Sequence, residues 1–248
     1  MIILFAVVAA AHPTADEAMA GDRPIGCDAD RWLAVARSYA EERRAADALG
    51  ALDRAAACGA EAGVVALHRG LIAPLLSAPR DALPALDAAI DANPNHVALR
   101  LARGRALAAI GRPEAALVDV ERALTDLDRP QPDDVLLHAS LLDAVGDPEG
   151  ALTAVDDGVA RLGPAPGLVA RAVALELALG RPIAALARLD GLPDTPSWLD
   201  LRGTVAMRAG HPEGAADAWS RARSLALARP TPTNRALADA LTALLESL

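Results

Sequence analysis

The chain has 248 residues and a formal net charge of −9; 53% of its residues are hydrophobic and only 2% aromatic. Ala supplies 61 residues and Leu 38, and there is no Lys, so all 24 basic residues are Arg. Scarce aromatics disfavour a sheet and abundant Ala and Leu favour helix, while the apolar content excludes disorder and an acidic, Lys-free chain disfavours nucleic acid as partner.

Residues 1–11 form an apolar run, MIILFAVVAAA. A helix needs roughly 20 such residues to span a bilayer, so no stable membrane span is expected. The run suits the core of a secretory signal peptide, with Ala18-Met19-Ala20 offering an A-x-A cleavage site. Residues 1–20 are therefore read as a leader and 21–28 as a short N-terminal segment. The expected location is the periplasm or cell envelope of a bacterium. No Lys or Arg precedes the run, and a cytoplasmic chain with a buried first helix is the alternative.

A phrase then recurs along the chain: Gly111-Arg112-Pro113-Glu114-Ala115-Ala116-Leu117, Gly146-Asp147-Pro148-Glu149-Gly150-Ala151-Leu152, Gly180-Arg181-Pro182-Ile183-Ala184-Ala185-Leu186 and Gly210-His211-Pro212-Glu213-Gly214-Ala215-Ala216. Its first glycines lie 35, 34 and 30 residues apart. Gly tolerates the left-handed conformation just past a helix end, and Pro fits the first turn of the next helix. Each phrase thus ends one helix and starts another. Extending the frame gives six units that start near residues 29, 63, 97, 132, 166 and 196. After them, Leu237, Leu241, Leu244 and Leu245 make a helical stripe. It predicts a capping helix over 233–248.

The period and its small residues resemble the tetratricopeptide repeat (TPR) family. Repeat position 20 holds Ala48, Ala82, Ala116, Ala151, Ala185 and Ala215. Position 8 holds Ala36, Gly70, Gly104, Ala139, Val173 and Gly203, and position 24 holds Leu52, Leu86, Val120, Val155, Leu189 and Trp219. Trp32 and Tyr39 match the aromatic positions of repeat one. The resemblance implies an all-α, right-handed solenoid of about six helix pairs plus the capping helix, a single domain over 29–248. Five places depart from the pattern. Arg100 and Glu176 replace apolar residues, Pro74 should end its helix early, repeat one lacks the Gly-Pro turn at Glu41-Glu42-Arg43-Arg44, and the second helix of repeat five is cut short by Gly191, Pro193 and Pro196.

No catalytic motif is present: no nucleophile elbow, Walker A loop, dinucleotide fingerprint or H-E-x-x-H. The five histidines sit at unrelated repeat phases, so no metal site and no cofactor is expected. The expected function is non-enzymatic. The resemblance places ligand contacts on the first helix of each repeat. Carried over position by position, it implies a groove that includes Arg37, Leu67, His68, Leu71, Leu101, Arg105, Leu136, Leu137, Ser140, Arg171, Leu201, Thr204 and Arg208. Its Arg residues would pair with carboxylates of a peptide or helix from another protein. The competing reading makes the leucines inter-repeat core and pairs the Arg residues with Asp143 and Asp200. The family's clamp for C-terminal carboxylates needs Lys and Asn at positions where this chain has neither.

Cys27 and Cys58 are the only thiols. Cys27 precedes the first helix and Cys58 ends the second, and those ends are neighbours in an antiparallel pair. One disulfide is therefore attainable, two unrelated small apolar residues being the alternative. The expected role is an interaction scaffold or adaptor for another protein. A structural subunit of an envelope assembly or secretion complex, with self-association, is the second reading.

Overall fold

The structure is a computed structural model that describes residues 27–75 and 79–247, with the backbone alone at Pro74. The leader read at residues 1–20, its cleavage site and residues 21–26 lie outside the described residues, as does Leu248. The described residues form thirteen α-helices and no strand.

The chain divides into two compact units, Met1–Pro130 and Gln131–Leu248. The first contains α1 (Ala29–Glu41), α2 (Ala45–Ala57), α3 (Ala62–Ile72), α4 (Pro79–Ala92), α5 (Val97–Ala109) and α6 (Pro113–Thr125). They pack as the pairs α1/α2, α3/α4 and α5/α6, and successive pairs also touch. The second unit contains α7 (Pro132–Ala144), α8 (Pro148–Leu162), α9 (Pro166–Ala178), α10 (Pro182–Ala187), α11 (Pro196–Arg208), α12 (Pro212–Ala228) and α13 (Pro232–Glu246). It repeats the pairing as α7/α8, α9/α10 and α11/α12, and α13 closes it against α12.

The recurring phrase makes the turn inside four of the six pairs, α5/α6, α7/α8, α9/α10 and α11/α12. Gly111, Gly146, Gly180 and Gly210 all have φ between 74° and 89°. The N–H of the next residue reaches back to a carbonyl five residues earlier. These bonds are Arg112 to Leu107 at 2.9 Å, Asp147 to Leu142 at 2.9 Å, Arg181 to Glu176 at 2.8 Å and His211 to Ala206 at 2.9 Å. This geometry satisfies helix-end carbonyls that would otherwise lack donors.

Repeat one builds the same turn without glycine. Arg43 has φ 60° and is the only non-Gly residue with positive φ among those described. The Arg44 N–H donates to the Tyr39 carbonyl at 2.8 Å, and the Arg44 guanidinium sits 4.4 Å from the centre of the Tyr39 ring. The left-handed conformation costs a non-Gly residue roughly 1–2 kcal/mol. Arg43→Gly should therefore stabilise the protein by about 1 kcal/mol, after the extra freedom of Gly in the unfolded chain is counted. Urea denaturation followed by far-UV circular dichroism would show a higher midpoint; a lower one would contradict the strain.

Small residues let the helices meet. The Ala at repeat position 20 is at most 1% exposed in all six pairs. At position 24, Leu52, Leu86, Val120, Val155 and Leu189 are fully buried and Trp219 is 4% exposed. A Cβ added to Gly70 would lie 2.6 Å from the Ala89 Cβ, and one on Gly104 would lie 2.6 Å from Val120 Cγ2. In the closing helix, Leu241 and Ala238 are buried. Leu241 belongs to the cluster of Leu199, Ala206, Trp219 and Ala222, with Leu237 and Leu245 packed beside it.

The departures have local causes. α3 stops at Ile72 and passes into a 3-10 turn, Ala73–Leu75, where Pro74 removes a backbone donor. α10 has only six residues, and Gly191 then takes φ 76°. Arg100 turns its guanidinium to the Pro94 carbonyl, with Nε donating at 3.0 Å. Glu176 is buried and accepts from Arg188 Nη2 at 2.9 Å.

Candidate interaction faces

In the first unit, α1 packs against α3, with Arg37 on the first helix and His68 on the second. His68 is half-buried. Its pKa is lowered from 6.5, first by desolvation and then by the charge of Arg37. The imidazole therefore favours its neutral form beside an exposed guanidinium. Arg37 makes no ion pair with a carboxylate among the described residues. Leu67 and Leu71 are half-buried against the cluster of Leu86, Ala89 and Leu99, while Leu101 is 7% exposed. These leucines serve packing first. Arg105 on α5 is exposed.

In the second unit, Leu136 packs against the cluster of Val135, Val155 and Leu168, and Leu137 is half-buried. Ser140 Oγ donates to the Leu136 carbonyl at 2.7 Å. Arg171 Nη2 donates to Asp143 Oδ2 at 2.8 Å, and its Nε is buried without a hydrogen-bond partner. Leu201 packs against Val173, Leu189 and Val205. Thr204 is half-buried and Arg208 exposed. Of the four Arg residues proposed for a groove, Arg171 is thus engaged inside the fold, with one of the two carboxylates that the competing reading named.

The sequence reading missed a set of ion pairs that tie neighbouring repeats. Arg69 on α3 pairs with Asp53 on α2. Arg103 on α5 donates through Nη1 to Asp87 on α4 at 2.8 Å. It also grips Asp119 on α6, with Nε to Oδ2 at 2.6 Å and Nη2 to Oδ1 at 2.7 Å. Arg188 Nη2 bridges Asp156 Oδ2 on α8 at 3.0 Å and Glu176 on α9. These carboxylates and hydrogen bonds raise the pKa of Arg103 and Arg188. A signal existed in the sequence. Asp53 and Asp87 both hold repeat position 25, and Arg69 and Arg103 both hold position 7 of the next repeat.

Cys27 and Cys58 are joined by a disulfide, their Cα atoms 4.9 Å apart. Beside it an open depression of about 660 Å³ is lined by Cys27, Asp28, Asp30, Leu33, Glu61 and Val64, among others. Among the described residues, no group of His, Cys, Asp or Glu could hold a metal ion. No described helix is long and apolar enough to cross a membrane.

Consecutive helix pairs with glycine turns, small residues at fixed repeat positions and ion pairs between neighbours define a helical-repeat solenoid. More narrowly, the chain has the tetratricopeptide repeat fold. It is similar to a tetratricopeptide repeat protein from Parabacteroides merdae, 16% identical over 92% of this chain and 90% of that one, with a TM-score of 0.54. It is also similar to YrrB, a TPR protein with an unusual peptide-binding site, at 18% identity over 74% and 92% of the two chains and a TM-score of 0.59. Pseudomonas aeruginosa PilF is 15% identical over 85% and 93%, with a TM-score of 0.58. Likeness at these identities shows the fold. No protein-family model and no curated protein matches the sequence.

Proposed function

We propose that the protein is a non-enzymatic interaction scaffold that binds an acidic, aliphatic peptide or helix of another protein on the first-helix faces of its repeats. The observation that carries this reading is the packing of α1 against α3, which sets exposed Arg37 and half-buried His68 on adjoining helices. An exposed cation beside a half-buried neutral imidazole can pair with a carboxylate, because a guanidinium donates two parallel hydrogen bonds to one. Half-exposed Leu67 and Leu71 offer aliphatic contact next to it. The likeness to a solenoid described by its peptide-binding site supports the same reading.

A displayed library of random peptides tests it. Selection should enrich sequences with acidic and aliphatic side chains, and the double variant Arg37→Glu/Arg105→Glu should lose them while keeping its helical content. Enrichment without acidic bias, or equal enrichment by both proteins, would overturn the reading.

The second reading is a structural subunit of an envelope assembly. The apolar run at residues 1–11 and the likeness to PilW, a type IV pilus biogenesis factor, favour it. Fractionation of the native cells would then place the protein in the envelope within a complex larger than one chain.

A further inference from the structure

The disulfide sits where a reagent can reach it. Cys27 is exposed and lines the open depression. Cys58 is half-buried and packs against the cluster of Trp32, Leu52 and Ala55. The two cysteines are therefore unequal, Cys27 exposed and Cys58 packed against the repeat core. Three carboxylate side chains, Asp28, Asp30 and Glu61, also line the depression. They set a negative potential over the approach to Cys27.

The α1/α2 pair is also held by contacts that do not involve the bond. Trp32, Val35, Ala36 and Tyr39 pack with Ala48, Leu52 and Ala55. The Arg54 guanidinium lies 4.6 Å from the centre of the Trp32 ring. Asp28 caps α1 by accepting from the Arg31 N–H at 3.1 Å. Opening the disulfide would release Cys27 from the end of α2 without removing any of these contacts.

We propose that Cys27–Cys58 is a redox-addressable latch, opened in the folded protein by a dithiol reductant whose reactive thiol stands on a cationic surface. Its thiolate attacks Cys27 Sγ, the Cys27–Cys58 bond breaks, and Cys58 leaves as a thiolate that takes a proton from water. The reductant's second thiolate then attacks its own sulfur in the mixed disulfide and displaces Cys27. The reductant ends as a disulfide and the protein as two thiols, a transfer of two electrons. The acidic surround selects the reductant by charge, an effect that salt screens within a Debye length of about 10 Å at 0.1 M.

The full chain is treated in native buffer with cysteamine, a cationic thiol, or glutathione, an anionic one. Products are quenched with acid and mapped by mass spectrometry. Opening should proceed while the far-UV circular dichroism of the protein is unchanged, and the first mixed disulfide should map to Cys27. The ratio of cysteamine to glutathione rates should be several-fold higher in the folded chain than in urea, and Glu61→Gln and high salt should each reduce that excess. A disulfide that resists both thiols until urea unfolds the chain would overturn the proposal. So would a first adduct on Cys58, or an equal rate ratio in folded and unfolded chains.

Discussion

Arg103→Met should destabilise the protein by roughly 3–5 kcal/mol, the cost of breaking a buried ion pair from one side. The Asp119 side chain is only 4% exposed, against 27% for Arg103. Two short parallel bonds from Arg103 hold its carboxylate, and removing the guanidinium leaves that charge buried without a counterion. Asp87, whose side chain is 57% exposed, loses the same partner but recovers water in exchange. Asp119 therefore carries most of the loss. Asp87→Ala should cost about 1 kcal/mol or less, as exposed pairs do. The double variant Arg103→Met/Asp119→Leu should recover most of the stability, because replacing both charges with apolar groups removes the desolvation penalty along with the attraction. Urea titrations of the three variants decide the matter. A loss from Asp87→Ala equal to that from Arg103→Met would mean that the bridge between repeats, not the buried carboxylate, is the sensitive part.

The fold was legible where its chemistry is local. A Gly-x-Pro phrase announces a helix end and a helix start within three residues, because each residue answers a backbone requirement of its own position. Ala at position 20 was legible for the same reason: a close approach demands a small residue whatever the neighbours are. Arg43 was not legible, because nothing in its side chain announces a left-handed backbone; the hydrogen bond from Arg44 to Tyr39 imposes it. Glu176 read as a departure because its partner, Arg188, comes within 2.9 Å only when α9 and the end of α10 fold back on one another.

The candidate interaction faces were the least legible part, and the reason is geometric. A leucine every three or four residues marks a helix face that touches something, without saying whether that is the next repeat or a ligand. Leu67, Leu101 and Leu136 satisfy the same spacing, and all three belong to the packing of their own unit. Charge discriminates better. An Arg on such a face has either a carboxylate inside the fold, as Arg171 has in Asp143, or a solvent-facing guanidinium, as Arg37 and Arg208 have. Only the positions of the carboxylates separate the two cases, and they come from helices 28 residues away in the case of Asp143.

The second large effect is expected at Trp219, where position 8 meets position 24 of the last repeat. Trp219→Ala should cost roughly 3–5 kcal/mol, the range for removing a buried Trp side chain. Trp219 lies in the cluster that includes Leu199 and Leu241, so the loss removes the floor on which α13 closes the unit. The indole N–H also donates to the Asp200 carbonyl at 3.3 Å. Gly203 lies directly under the ring: a Cβ there would stand 2.4 Å from Nε1 and 2.5 Å from Cδ1. Gly203→Ala forces the indole or the helix to move and should cost about 1–3 kcal/mol by overpacking. That loss outweighs the gain in helix propensity of up to about 1 kcal/mol that Ala brings to a helix interior. The decisive measurement is the same Gly203→Ala change made in the Trp219→Ala background. With the ring gone, the clash is gone and the propensity gain remains, so the substitution should become neutral or stabilising by up to about 1 kcal/mol. The two sites should therefore couple by about 2 kcal/mol, within the range for residues in contact. If Gly203→Ala destabilises equally in both backgrounds, the glycine answers to the backbone of α11 rather than to the indole.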